Sequence, residues 1–406
     1  MAEDSIELQG VYDVIHKWYH MKDMKRVDVL LASALSMCAV GCDPLMIIFC
    51  GNSGDWKSEG LRALSNCNLW ISELNKLNSG KPKWVRTVDQ LTKNTFVSGK
   101  PGNKGKRNDL GSELDGKYTL LLIADFANIV SKIKEDKNEI FSQLRNLYDG
   151  FLQKDTGSGV KKFYTDCHIT LVANATPMIK DEFYLHQALG TRELVYDTSE
   201  SLTRDEKKIE SVSKAKKSWE NQQVIEQARR ELVSVFTRFL IQHTFKEIDD
   251  GAIPDEMRDF IIAQSYKLSL LRATVKVDFY RNTVIGEPVI EEPTRLVHQF
   301  KLLYKSLKSL GPDYPDERIK SIIRHFVKSS CVPLRYKLLI TLEKSKGLSF
   351  TATELAEKFK IDYKQIRLEL DILWALNIIT REMISRDSFE TKYNYLFEEQ
   401  KQLEVD

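Results

Sequence analysis

Residues Gly51-Asn52-Ser53-Gly54-Asp55-Trp56-Lys57-Ser58 place two glycines, a lysine and a hydroxyl directly after an apolar run, Leu45 to Cys50. A loop of this composition suits phosphate. Successive backbone N–H groups and the N-terminus of a following helix surround the oxygens, a lysine reaches the β- and γ-phosphates, and a Ser or Thr hydroxyl ligates Mg2+. The pattern is G-x-x-x-x-G-K-[ST], and Trp56 stands where the second glycine belongs. Two conditions follow for the cradle. With a negative φ and an outward indole at Trp56 the N–H groups can still converge; otherwise the pocket is blocked.

A phosphate loop needs partners at the ends of neighbouring strands. Asp125 follows the run "LLLIA" and is placed to hold Mg2+ together with Ser58; Asn174 ends "ITLVA" and is placed to orient an attacking water. Each has an ordinary alternative, a helix N-cap for Asp125 and an Asx turn before Pro177 for Asn174. Their joint appearance after two buried strands favours the nucleotide reading, with ATP and Mg2+ as cofactors. The residue after Asp125 is Phe126, so no water-activating carboxylate stands there, and Glu59 is a weak substitute.

The elements that must position these residues alternate. Residues 8–42 have the helical recurrence of Val11, Ile15, Trp18 and Tyr19, then a second apolar helix from Val27 that Asp43-Pro44 stops. Strand 45–50, the loop and a helix carrying Leu61, Leu64 and Leu69 follow. A polar loop spans 98–111, a strand begins at Tyr118, a helix covers 135–148, residues 151–164 form a hairpin, and a third buried strand ends at Asn174. Alternating strands and helices predict an α/β domain with a largely parallel sheet. Residues 203–230 read as a charged, solvated helix, and 231–310 as helical around an extended interruption near 275–293.

In the tail, helix 334–342, a capped helix opening at Thr351, a turn at 360–362 and a helix from Tyr363 spell a helix-turn-helix, with 376–396 as a two-stranded wing. Lys364 and Arg367 are offered to DNA from the last helix, Lys154, Lys161 and Lys162 from the hairpin, and Lys104, Lys106 and Arg107 from the polar loop. Solvated lysines are the alternative for each cluster, and protein docking is the alternative for the winged helix.

Bulk composition constrains the rest. The 406 residues suffice for two or three domains, and 42% apolar with 29% charged residues is ordinary for a globular protein. A net charge of +2 gives no global field toward nucleic acid, so any such surface is local. Six scattered cysteines lack a metal-site spacing and fit reduced, buried thiols in the cytoplasm. No apolar run approaches the ~20 residues of a membrane span.

The stretches "TVDQLTKNTFVSG" (87–99), "LLLIADFANIV" (120–130), "LRNLYDGFLQKDTG" (144–157), "ITLVANATP" (169–177) and "ALGTRELVY" (188–196) together resemble one family. It is the AAA+ ATPases of prophages and integrative elements, related to the minichromosome-maintenance helicases. "SLLRATVKV" and "EEPTRLVHQFKLL" resemble that family's lid, and the likeness covers roughly residues 45–400. The resemblance implies an N-terminal helical segment at 1–44, a nucleotide-binding core at 45–230, a helical lid at 231–311 and a winged helix at 312–406. It implies that Lys57 and Ser58 bind phosphate and magnesium, that Asp125 is the magnesium acid and Asn174 the sensor. Arg192 is implied as an arginine finger toward a neighbouring subunit, Arg272 as the lid's second sensor, and hairpin 151–164 as a pore hairpin gripping DNA. The activity implied is DNA-dependent ATP hydrolysis by a ring-forming hexamer around DNA, as replicative helicase or helicase loader of a mobile element. The rival is a DNA-binding initiator or regulatory scaffold whose nucleotide pocket does not hydrolyse.

Overall fold

The computed structural model describes residues 7–396, apart from 20, 40, 53, 55, 78–79, 98–108, 156–160, 181–191, 200–211, 213–221, 279, 281–282, 346–347 and 387–390. Its chain divides into two compact units. One comprises Met1–Phe183, Thr191–Ile262 and Thr294–Phe326; the other comprises Tyr184–Gly190, Ala263–Pro293 and Val327–Asp406.

The first unit is built on strands β1 (Met46–Cys50), β2 (Lys83–Val88), β3 (Lys117–Ile123), β6 (Cys167–Ala175) and β7 (Leu194–Asp197), with β4 (Leu152–Asp155) and β5 (Lys161–Tyr164) forming a separate hairpin. The five strands make one all-parallel sheet in the order β2-β3-β6-β1-β7. β1, the interior of β3 and most of β6 are buried on both faces, which explains their unbroken apolar runs. Helices cover both sides. α2 (Lys25–Ser36), α3 (Lys57–Ser65) and α4 (Asn68–Lys76) pack on one, and α5 (Leu110–Leu114) and α6 (Lys134–Tyr148) on the other. α1 (Leu8–Tyr19) and the long α7 (Gln222–Gln242) pack against each other, and α7 also packs on α3 and α4.

Three expectations need correction. The helix after the glycine loop is two helices, broken at Asn66 and Cys67, and the break rotates Leu69 outward to 68% exposure while Trp70 is buried in its place. β2 is a strand with no counterpart in the expected elements; it lies at the sheet edge, and its half-exposed "KWVRTV" lacks an apolar run. The second helix ends at Ser36, well before Asp43-Pro44.

Asp28 of α2 ties the unit's N-terminal helices to a distant part of the chain. Its carboxylate is fully buried and accepts from the hydroxyl of Tyr12 on α1, the hydroxyl of Tyr314 (2.6 Å) and Arg318 Nε (2.6 Å). α1 is also clamped to α7, where Glu231 accepts from Lys17 Nζ (2.8 Å) and Trp18 Nε1 (2.6 Å). These two bonds hold the Glu231 carboxyl well below the ordinary range, at about 2.

Along the chain follow α8 (Asp255–Arg272), α9 (Thr294–Lys308) and α10 (Asp316–Ser329), with the short strands β8 (Val277–Asp278) and β9 (Thr283–Val284). The second unit contains α11 (Pro333–Lys344), α12 (Ala352–Phe359) and α13 (Tyr363–Ala375), with β10 (Phe350–Thr351), β11 (Thr380–Arg386) and β12 (Thr391–Leu396) as a three-stranded antiparallel sheet ordered β10-β12-β11. Thr351 and Glu354 close a capping box at the start of α12. Lys360 ends that helix in the left-handed region at φ 55°, and Asp362 then caps α13 through the N–H groups of Lys364 and Gln365. Ala273, Ile372 and Leu376 form a small core with Val275 and Val284.

Removing the Asp28 carboxylate strands a guanidinium and two phenols. Asp28→Ala is expected to cost about 3–5 kcal/mol in urea unfolding, with Asp28→Asn costing less because an acceptor oxygen remains. Equal midpoints for Asp28→Ala and wild type would remove Asp28 as the tie.

Candidate functional site

Parallel strands deliver their C-terminal ends to one rim, and a ligand in an open α/β sheet binds outside that rim. β1 runs directly into the glycine loop. The Gly51 N–H donates to Ala175 O (3.1 Å) at the end of β6, and Thr198 N–H donates to Cys50 O (2.8 Å) at the end of β7. Asn174 is paired in register with Phe49, and Ile123, two residues before Asp125, is paired with Ala173. The loop, Asn174 and Asp125 therefore come from three adjacent strands, β1, β6 and β3, at the same edge.

The loop closes around its own lysine. Lys57 is buried, and its Nζ donates to the carbonyl oxygens of Gly51 (2.6 Å) and Asn52 (2.8 Å). Gly54 turns the chain at φ 80°. Ser53 and Asp55 lie outside the described residues. Ser58 is exposed in the first turn of α3.

Trp56 resolves differently from either expected condition. Its φ is 32° and its ψ −17°, so a bulky L-residue holds the left-handed backbone that the second glycine of such a loop would adopt freely. The indole is buried and lies along α3. It meets Tyr19 of α1 and Phe236 of α7 edge-on, each with a centroid distance of 6.4 Å. It also covers Gly60, where a Cβ would stand 2.8 Å from Trp56 Cζ3 and 2.8 Å from Leu30 Cδ2. The indole is thus turned onto Tyr19, Phe236 and Gly60, although φ is positive.

Asn174 is 4% exposed, and neither amide atom has a hydrogen-bond partner among the described residues. Asp125 is exposed and accepts from Ala127 N–H (3.1 Å), so it does cap the 3-10 helix Phe126–Ser131. That bond uses one oxygen; the other has no partner among the described residues. Phe126 is fully buried in the core. Glu59 is forked onto Arg229 of α7 at 2.9 and 2.8 Å and also meets Arg62 at 3.2 Å, which commits it to an ion pair.

Arg192 is not at this rim. It precedes β7, whose Leu194 is in register with Ile47, so the strand length of about 13 Å at ~3.3 Å per residue separates it from the loop. There the guanidinium meets Asp149 Oδ2 (3.3 Å) and lies 5.9 Å over the Tyr148 ring, which Arg295 also faces at 5.9 Å. Burial, and then the Arg192 charge, hold Arg145 below the ordinary guanidinium range. Arg272 belongs to the second unit, where it is buried with Nε donating to Ser330 O (2.9 Å).

The lysines assigned to DNA divide. Lys162 is inward: Nζ donates to Asp109 Oδ2 (2.6 Å), and Asp109 also accepts from the Tyr164 hydroxyl (2.8 Å) and caps α5. Lys154 meets Glu139 (2.6 Å) and Lys93 O (3.3 Å). The register pairs Leu152 with Tyr164 and Lys154 with Lys162, so strand alternation puts these lysines on the face of the buried pair. Phe163, paired with Gln153, is on the opposite face and is 58% exposed. The Lys161 side chain and Lys104, Lys106 and Arg107 lie outside the described residues. Lys364 is exposed on α13, while Arg367 is 3.9 Å from Asp371.

One pair at the rim escaped the sequence reading. Lys180, after β6, is ion-paired with Asp197 at the end of β7. Burial raises the Asp197 carboxyl, but Lys180 and Ser199 outweigh it and leave the group below the usual range. The signal was available, since Asp197 ends a short apolar strand as Asp125 does.

No family model and no curated protein matches the chain. Among solved structures, "The apo structure of NrS-1 C terminal region (305-718)" is similar at a TM-score of 0.30 and 9% identity, covering 97% of this chain and 76% of that one. A TM-score that low carries no argument about fold or function. Among the described residues no helix is long and apolar enough to cross a membrane, and no cluster of three His, Cys, Asp or Glu side chains could hold a metal ion by itself.

A buried amide without a partner costs ~1–3 kcal/mol. Asn174→Leu, similar in shape, is therefore expected to leave the fold as stable as wild type or about 1 kcal/mol more stable in urea unfolding. A clear loss of stability would mean that the amide is holding the protein together.

Proposed function

We propose that the protein is an ATP-binding, DNA-dependent ATPase of the AAA+ kind, acting as a ring-forming helicase or helicase loader. The observation that carries this reading is the convergence of a lysine-bearing phosphate loop, Asp125 and the partnerless Asn174 amide at the ends of β1, β3 and β6. The residues fit a magnesium nucleotide. Position 56 keeps the glycine conformation, and the nine-residue α3 begins directly at Lys57.

In this reading Lys57 would exchange its bonds to Gly51 O and Asn52 O for phosphate oxygens, Ser58 and Asp125 would hold Mg2+, and Asn174 would orient a water. The metal, when bound, would supply charge neutralisation for the phosphates. Arg192 cannot act on the loop of its own chain across β7, which suits a role toward a neighbouring copy; as it stands it is an ion pair with Asp149. The α11–α13 segment with its three-stranded sheet is read as a winged helix, with Lys364 as its DNA-facing group. The β4–β5 hairpin is read as a single-strand contact, through Phe163 stacking on bases rather than through Lys154 or Lys162.

A second reading, a DNA-binding scaffold with a non-hydrolysing pocket, is favoured by one observation. Phe126 is buried and Glu59 is spent on Arg229, so neither supplies a general base.

The two readings separate on turnover. Wild type is expected to hydrolyse ATP in the presence of single-stranded DNA, with Lys57→Ala reduced to background; saturable nucleotide binding with no turnover above Lys57→Ala selects the scaffold. Phe163→Ala is expected to weaken single-stranded DNA binding by roughly 5- to 160-fold, from ~1–3 kcal/mol per stacked base, whereas an unchanged affinity removes the hairpin from the DNA path.

A further inference from the structure

The left-handed backbone at residue 56 has to be maintained by something. For a bulky L-residue this region costs on the order of 1–3 kcal/mol, and such a conformation persists only where its surroundings impose it. The surroundings are explicit. Tyr19 comes from the last residue of α1 and Phe236 from α7, and both meet the indole edge-on. Gly60, one turn along α3, leaves the space in which the indole lies. The two helices that supply the rings are held together outside this contact by Glu231 of α7, which accepts from Lys17 and Trp18 of α1. The indole Nε1 has no hydrogen-bond partner among the described residues, so the grip is one of packing.

We propose that Trp56 is a positioning residue. Gripped between Tyr19 of α1 and Phe236 of α7, it holds the loop in the left-handed form that brings Lys57 and the first N–H groups of α3 to the phosphates, and so makes nucleotide affinity depend on α1 being docked on α7. The inference rests on the nucleotide reading of the loop. A glycine at this position adopts the same torsion without support, and its loop is independent of the helices behind it. Here the support is external, and an event that loosens α1 is transmitted to the phosphate site through one side chain.

The test is a double-mutant cycle on the full-length protein, with the dissociation constant of a fluorescent ADP analogue as readout. Glu231→Gln changes a half-buried carboxylate on α7 outside the loop, and Tyr19→Ala is the independent second route. In the wild-type background each is expected to weaken binding about two- to ten-fold, the range that loss of one aromatic edge contact allows. In the Trp56→Gly background the same changes are expected to have no effect, because glycine keeps the torsion unaided. A merely structural role for α1 would weaken binding equally in both backgrounds, and that result overturns the proposal. So does unchanged affinity on Glu231→Gln and Tyr19→Ala in wild type while Lys57→Ala still abolishes binding, an outcome that leaves the nucleotide reading intact. Absence of saturable binding in both wild type and Trp56→Gly overturns the two together.

Discussion

One backbone torsion governs the C-terminal rim of the sheet. With residue 56 in the left-handed region, α3 starts at Lys57 with its N-terminus directed at the glycine loop, and Lys57 Nζ returns to the carbonyls of Gly51 and Asn52. With an ordinary negative φ there, the following main chain would leave in another direction and the lysine would not close the loop. The rest of the rim is assembled around that point by register. β6 brings Asn174 and β3 brings Asp125 to the level of the loop, and the Gly51 N–H is fixed on Ala175.

The rim also divides its polar groups into two kinds. Those that shape it are satisfied: Asp197 by Lys180, Glu59 by Arg229, and Asp125 on one oxygen by Ala127. Asn174 is not, and a buried amide is a costly place to leave two polar atoms unanswered. That contrast sets the Asn174 amide apart from Glu59, which is committed to Arg229.

The sequence made legible whatever depends on local pattern. β1, β3 and β6 are buried on both faces and so appear as continuous apolar runs. The capping box at Thr351 and the turn before Tyr363 are written in adjacent residues. β2 was hidden because an edge strand with Lys83, Arg86 and three half-buried residues has no such run. The inward turn of Lys154 and Lys162 was readable in principle from their parity with Leu152 and Tyr164, but their charge invited the opposite reading. The fork between Glu59 and Arg229 joins residues 170 apart in the chain, and no local pattern announces it. Trp56 was visible as an anomaly; the side on which its ring lies was not, since Tyr19 and Phe236 are far from it and from each other in sequence.

The fit of the Trp56 ring over Gly60 has a consequence for how this loop can vary among descendants. A Cβ at residue 60 would collide with the indole and with Leu30, so tryptophan at 56 and glycine at 60 form a linked pair. A lineage carrying glycine at 56 is relieved of the indole's part of that constraint and can fill position 60 with a small side chain once Leu30 adjusts. Passage between the two forms runs through a chain with glycine at both positions, and sequences that combine tryptophan at 56 with a branched residue at 60 should be missing from the lineage altogether.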